Sequence, residues 1–271
     1  MAIAALTTYA SDTNSSSTTT NTSSTYSLGA DDFMTLLLTQ LENQDPTDPM
    51  DMDAFTSQLC SLNQLQQSVE TNAYLVADSD TREAAVIDPA WDGGVILSEA
   101  RRRLWRIAHL WYTHAHFDHI GGAAEIADAL NPLPLVALHP EDHVLWRAGG
   151  GASLFGFHID PGPEPSIDLS HGQILRLGNS RFEVRYTPGH SPGHCIFYCA
   201  EAGVCFSGDL IFATSVGRTD LPGGDWDTLE KSIREQIYSL PDATRLLSGH
   251  GPETTVAYEK QFNPFVSGSI A

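Results

Sequence analysis

Five histidines and two aspartates fall in four short stretches of the chain: Thr113-His114-Ala115-His116-Phe117-Asp118-His119, Thr187-Pro188-Gly189-His190, Ser207-Gly208-Asp209 and Gly249-His250-Gly251. Imidazole nitrogens and carboxylate oxygens in this number suffice for two divalent metal ions. His114 and His116, two residues apart, converge on one ion if a turn directs both rings inward. Asp118 and His119 stand where a following helix should begin, so they can serve a second ion close by. Two adjacent cations sharing a water bring its pKa toward roughly 7, which yields a nucleophile near neutral pH without a strong side-chain base.

These ligands need elements to carry them. From Thr71 onward strands and helices alternate. Ala73–Ala77 and Ala84–Asp88 read as paired strands, Val95–Arg103 as a helix, and Ala108–Thr113 as a buried strand that delivers the first histidine motif. A helix is expected from Gly122 to Leu130, and strands at Leu135–Leu138, Gln173–Leu177, Phe182–Tyr186, Cys195–Tyr198 and Val204–Phe206. A last helix, Trp226–Leu240, precedes the strand Arg245–Leu247. His190, Asp209 and His250 each follow one of these strands.

The first quarter of the chain is different. Met1 to Thr81 contains no Lys or Arg, and Thr13 to Thr25 is an unbroken run of Ser, Thr and Asn. Such a run cannot bury enough apolar surface to offset its ordering entropy, so residues 1–26 read as a disordered tail. Residues 27–70 read as a short helical hairpin: Phe33, Leu36, Leu37 and Leu41 form one stripe and Phe55, Leu59, Leu62 and Leu65 another, separated by the Asp45-Pro46-Thr47-Asp48-Pro49 break.

The formal net charge of -20 excludes nucleic acid and anionic membrane as partners, because both repel an acidic surface. No apolar run reaches the length of a membrane span, and the start lacks a basic n-region. With four cysteines, Cys60, Cys195, Cys199 and Cys205, and no C-x-x-C pair, cytoplasmic residence is expected and the cysteines read as small buried apolar residues. Arg101, Arg102, Arg103 and Arg106 read as a solvated helix face. His109, His139, His143, His158 and His171 read as ordinary core or surface residues, and Gly149-Gly150-Gly151 as a flexible turn.

The motif Thr-His-x-His-x-Asp-His with its three later ligands resembles the metallo-β-lactamase superfamily, and most closely its glyoxalase II-like (hydroxyacylglutathione hydrolase-like) branch, from about Thr71 to Phe265. The resemblance implies an α/β (α+β) fold, a four-layer αββα sandwich over residues 71–271 with metals in a cleft at one edge. Carried over residue by residue, it gives one zinc to His114, His116 and His190, the other to Asp118, His119 and His250, and makes Asp209 the bridge. It implies a zinc-dependent hydrolase acting on a small acyl-thiol, with two Zn2+ per chain, or iron or manganese in their place. Asp118 and Asp209 would be its catalytic carboxylates. His194 is assigned behind the ligands. Arg218, in the Gly217–Asp225 loop, either clamps a substrate carboxylate or pairs with Asp220 or Asp225. A mononuclear iron persulfide dioxygenase using His114, His190 and Asp209 is the rival within the fold.

Leu28 to Asp51, through Asn43-Gln44-Asp45-Pro46, resembles the N-terminal region of the flagellar hook-capping (hook assembly) protein. That implies flagellar hook components as partners through residues 27–67, and export through the flagellar apparatus. Members of the hydrolase branch carry an edge strand before the Thr71-Asn72-x-Tyr74-Leu75-Val76 segment. Here the hairpin runs into that segment directly, so one strand is expected to be missing and the domain to be less stable for it. From the stretch after His250 in this sequence, the helical C-terminal domain with which full-length glyoxalase II holds glutathione is not expected.

Overall fold

A computed structural model of the chain describes residues 1–9 and 70–267. The chain divides into two compact units: one joins Met1–Ala10 to Gln67–Ala271, and the other, Ser11–Gln66, interrupts it in sequence. The expected helical hairpin, the Ser/Thr-rich run and Cys60 lie outside the described residues.

The first unit is built on two six-stranded sheets. Sheet one takes its strands in chain order: β1 (Ala2–Tyr9), β2 (Glu70–Ala77), β3 (Glu83–Ile87), β4 (Arg106–Trp111), β5 (Leu135–Leu138) and β6 (Ile167–Asp168). Its first three strands are antiparallel neighbours and the remaining pairings are parallel. Sheet two contains β7 (Ile174–Leu177), β8 (Ser180–Tyr186), β9 (Cys195–Cys199) and β10 (Val204–Gly208). A small hairpin follows, β11 (Ile211–Phe212) with β12 (Ser215–Val216), and then β13 (Arg245–Ser248) and β14 (Thr254–Thr255) return to the edge of sheet two, β13 lying parallel to β10.

Period-two alternation sorts the strand side chains into layers. Val76, Ala85, Ile87 and Trp111 of sheet one meet Phe182, Val184, Phe197 and Phe206 of sheet two between the sheets. Leu75, Val86 and Leu110 point the other way, onto α1 (Gly93–Arg103) and onto the pair α2 (Phe117–Ile120) and α3 (Ala123–Asp128). A short helix, α4 (His143–Arg147), adds Leu145 and Trp146 to that layer. On the far side Ile196, Cys205 and Leu246 pack on α5 (Trp226–Ser232), its π-helical continuation Ile233–Ile237, and α6 (Val256–Phe262). These are the four layers, helix, sheet, sheet, helix.

Two expectations are corrected here. Residues 2–9 are not part of a disordered tail: they form β1, antiparallel to β2, with Ala2 opposite Ala77 and Tyr9 opposite Glu70. The edge strand is therefore present, and the expected loss of stability from its absence falls away. Ala4 and Leu6 join the helix-facing core while Ile3 packs between the sheets, so the alternation of Ile3-Ala4-Ala5-Leu6 suits a strand once a partner exists. That partner lies more than sixty residues away, beyond the reach of a local reading. The second correction concerns Gly149-Gly150-Gly151. Gly150 has φ +65° and is buried, and a Cβ there would overlap the backbone nitrogen of Phe117. The turn is a close backbone approach against the first histidine motif rather than a loose link.

Cys195, Cys199 and Cys205 are buried thiols, and burial pushes all three up from their ordinary pKa. Glu99 pairs with Arg102 and Arg103 on the exposed side of α1. His109 bonds Glu83, and His139 stacks on Tyr186.

Candidate metal centre

All seven ligand candidates sit where chain leaves the same end of the sandwich. His114, His116, Asp118 and His119 follow β4 and enter α2; His190 follows β8, Asp209 follows β10 and His250 follows β13. All seven are buried or nearly so. Three groups among the described residues have their ligand atoms mutually within 4.8 Å: His114 with His116 and His190, Asp118 with His119 and His250, and Asp88 with His114 and His119, the last joined through the Nδ1 side of His119 rather than the side that faces the centre. Asp209 lies between the first two triads, its Oδ1 3.3 Å from His119 Nε2 and its Oδ2 3.6 Å from His190 Nε2 and 3.3 Å from His250 Nε2.

Hydrogen bonds behind the ligands fix which nitrogen faces the centre. Asp88, at the end of β3, accepts from the Thr113 hydroxyl (2.7 Å) and from His119 Nδ1 (3.0 Å). Because the Thr113 hydroxyl donates to Asp88, it accepts from His114 Nδ1–H at 3.0 Å. His190 Nδ1–H donates to the Arg218 carbonyl at 2.8 Å. The Nε2 lone pairs of His114, His119 and His190 therefore all point inward. His190 Nε2 stands 3.2 Å from His114 Nε2 and 2.8 Å from His116 Nδ1. A tetrahedral ion with metal–nitrogen bonds of ~2.0–2.1 Å needs its nitrogens roughly 3.3 Å apart; the His114–His190 pair has that spacing, and His116 stands closer to His190 than an ion between them requires.

The second triad passes a sharper test. His119 Nε2 and Asp209 Oδ1 are both buried without a hydrogen-bond partner, and they face one another. A lone pair against a carboxylate is repulsive unless a cation stands between them. In place of a metal, protons can fill that role: burial pushes His119 and His250 down, but the carboxylates of Asp209 and Asp118 outweigh it, raising His119 well above its ordinary value and His250 to about 10. In the other triad burial wins with help from neighbouring rings, and His116 falls to about 3. The residues present fit a divalent pair.

His194 stands one step back from the ligands. Its Nε2 accepts from the Asp209 N–H (3.2 Å), so its Nδ1–H faces the Thr187 hydroxyl (2.8 Å). The His250 loop is held by β2: the Asn72 amide donates to the carbonyls of Ser248 (3.1 Å) and Gly251 (2.8 Å), and Tyr74 donates to that of Ser248 (2.7 Å). The Arg218 guanidinium forms a bidentate pair with Asp220, at 2.7 and 2.8 Å. Sequence reading missed Asp88, Asp142, Asn72 and the backbone role of Arg218. Asp88 had a usable signal, a carboxylate closing the apolar strand Ala84-Ala85-Val86-Ile87. The others had none.

Residues 69–250 match the metallo-beta-lactamase superfamily. The chain belongs to that superfamily. A probable metallo-hydrolase of Bacillus subtilis, YqgX, is 36% identical over 74% of this chain and 94% of its own. The hydroxyacylglutathione hydrolase GloC of Haemophilus influenzae is 33% identical over 73% of this chain and 93% of its own. Among solved structures, TTHA1623 in a di-iron-bound form is 40% identical, with a TM-score of 0.66 over 72% of this chain and 95% of that one. Residues 4–77 match the N-terminal region of the flagellar hook capping protein, a span that takes in most of β1 and all of β2. No helix among the described residues is long and apolar enough to cross a membrane.

Proposed function

We propose that this metallo-hydrolase is a dinuclear zinc enzyme that cleaves thioesters, hydroxyacyl-thiols above all. The observation that carries the reading is the pair of triads flanking Asp209, with an unpartnered His119 Nε2 aimed at an unpartnered Asp209 Oδ1. Likeness to GloC supports the substrate class. A divalent pair held here supplies Lewis acidity toward a carbonyl oxygen and a water with pKa near ~7. The chain's own residues do the rest. Asp209 spans the two triads and fixes their separation. Asp118, whose Oδ2 accepts from the Thr71 hydroxyl at 3.4 Å and stands 3.4 Å from His250 Nε2, would orient the nucleophile and its proton. Arg218, whose guanidinium pairs with the exposed carboxylate of Asp220, would take a substrate carboxylate by giving up that partner. The mononuclear iron alternative employs only His114, His190 and Asp209 and leaves His116, Asp118, His119 and His250 without a role.

Elemental analysis of protein purified without added metal, with thioester hydrolysis measured on the same sample, tests this. About two zincs per chain and activity abolished by Asp209→Ala are expected. One iron per chain with oxygen uptake and no hydrolysis would replace the reading with the dioxygenase. Two irons with thioester hydrolysis would keep the reaction and change only the metal.

We also infer that residues 27–67, inside the hook-capping match, bind flagellar hook components. Coprecipitation with hook subunits, lost on deleting Asp31 to Gln67, is the expected result; failure of the intact chain to bind would remove that role and leave the enzyme alone.

A further inference from the structure

Asp142 belongs to neither triad, yet it is fully buried, in the short turn Pro140–Asp142 before α4. Its Oδ2 accepts from the Ala115 N–H at 3.0 Å and the Ser191 hydroxyl at 2.8 Å, and its Oδ1 accepts from the Gly193 N–H at 2.6 Å. Those donors lie on the two loops that carry the three-histidine triad. Ala115 sits between His114 and His116, and Ser191 follows His190. The loops leave strands of different sheets, β4 and β8, so sheet pairing alone does not set the distance between them. A backbone bond from Cys195 N–H to the Thr113 carbonyl joins them at 2.7 Å. Asp142 adds a second tie beside the ligands themselves, made by a charged acceptor in a dry site, where such bonds are strongest.

We propose that Asp142 is a positioning residue that sets the metal affinity of the His114, His116 and His190 triad by clamping its two loops together, and that the Asp118, His119 and His250 triad, which shares the first of those loops but takes no ligand from the second, depends on it less. The inference rests on the reading that the triads hold metal, and it goes beyond that reading by assigning site-selective control to a residue that touches neither ion nor substrate. An asparagine at 142 keeps the shape but turns an NH2 group toward one of the N–H donors, so it opens the clamp at one contact.

The test is chelator competition on the metal-loaded full chain, followed by the absorption spectrum of the cobalt-substituted protein. His116→Ala and His250→Ala identify which release step belongs to which triad. For Asp142→Asn the step belonging to the three-histidine triad should weaken about 10- to 100-fold, the usual cost of losing a supporting hydrogen bond, with the other step weakened by clearly less and the cobalt bands of the first site shifted. Ser191→Ala, which removes a single donor, should weaken the same step by less and guards against a poorly folded Asp142→Asn. Unchanged affinities and spectrum in both folded variants would overturn the proposal, as would equal weakening of both steps, the mark of a general loss of structure. A wild-type protein that binds no metal would overturn the two-triad reading and this inference together.

Discussion

Residue types were enough to name the candidate ligands, but their neighbours decide which atoms those side chains present. Gly249 is the sharpest case: a Cβ there would overlap Asp209 Oδ1 and crowd the His119 ring. Gly249→Ala should therefore displace the bridging carboxylate and lower metal content and hydrolysis together by about 10-fold or more, read by elemental analysis and steady-state rates. If the variant retains both, Asp209 does not hold the two triads in register. At Arg218 the side chain and the carbonyl have separate jobs. Arg218→Ala leaves the carbonyl that orients His190, so it should raise KM for an acidic acyl substrate while kcat changes little. A fall in kcat with KM unchanged would count against a carboxylate clamp.

At the scale of elements, the two sheets are joined by their core and, at the turn after β2, by a carboxylate. Phe197 on β9 is fully buried between the sheets, with its ring 5.8 Å from that of Trp111. Phe197→Ala should cost about 3–5 kcal/mol of stability, measured by urea unfolding, since the surrounding strands cannot collapse into the gap. Asp78, in the turn after β2, accepts from the Thr81 and Asp80 N–H groups and, across to sheet two, from the Asn179 N–H and the Ser180 hydroxyl. The Thr81 N–H above all, with the other donors, holds its pKa down at about 2. The folded value lies below the unfolded one of ~3.9, so this stabilisation is complete above that pH and is lost as pH falls toward 2. The stability gap between wild type and Asp78→Ala should be constant from about pH 7 to 5 and narrow below about pH 4. A gap that stays level in acid would mean that the charge on Asp78 contributes nothing.

At the scale of the molecule, the hydrolase unit is discontinuous in sequence. Tyr9 and Glu70 are opposite one another across an antiparallel pair, so a two-residue Asn-Gly turn is enough to connect them. Replacing residues 10–69 with such a turn should leave metal content unchanged and the melting temperature close to that of the full chain. Deleting residues 1–9 should instead lower it, because β2 then becomes the bare edge of sheet one and the core loses Ile3, Ala4 and Leu6. Equal melting temperatures for the two deletions would show that β1 adds nothing to the fold.

The candidate ligands were legible because each lies in a short local motif whose donor chemistry is carried by residue type, and most strands, with α1, α3 and α5, were legible because their apolar period repeats within a few residues; the short helices α4 and α6 span too few residues to show a period. Even there, Trp226–Leu240 was read as one helix where the structure has α5 and then a π-helical turn, a change of hydrogen-bond register that side-chain periodicity does not encode. What only the tertiary structure decided depends on pairs far apart in the chain. Ala2–Tyr9 carries too little apolar surface to read as a strand until β2 lies beside it. Asp142 looks like a surface residue until the loops after β4 and β8 close over it. Asp88, Thr113 and the Arg218 carbonyl turn the imidazoles only once they are within hydrogen-bond reach. The sequence by itself determined which atoms could bind a metal, because that is a property of each side chain; the fold determined which way those atoms face, because orientation comes from contacts between residues that sequence spacing does not bring together.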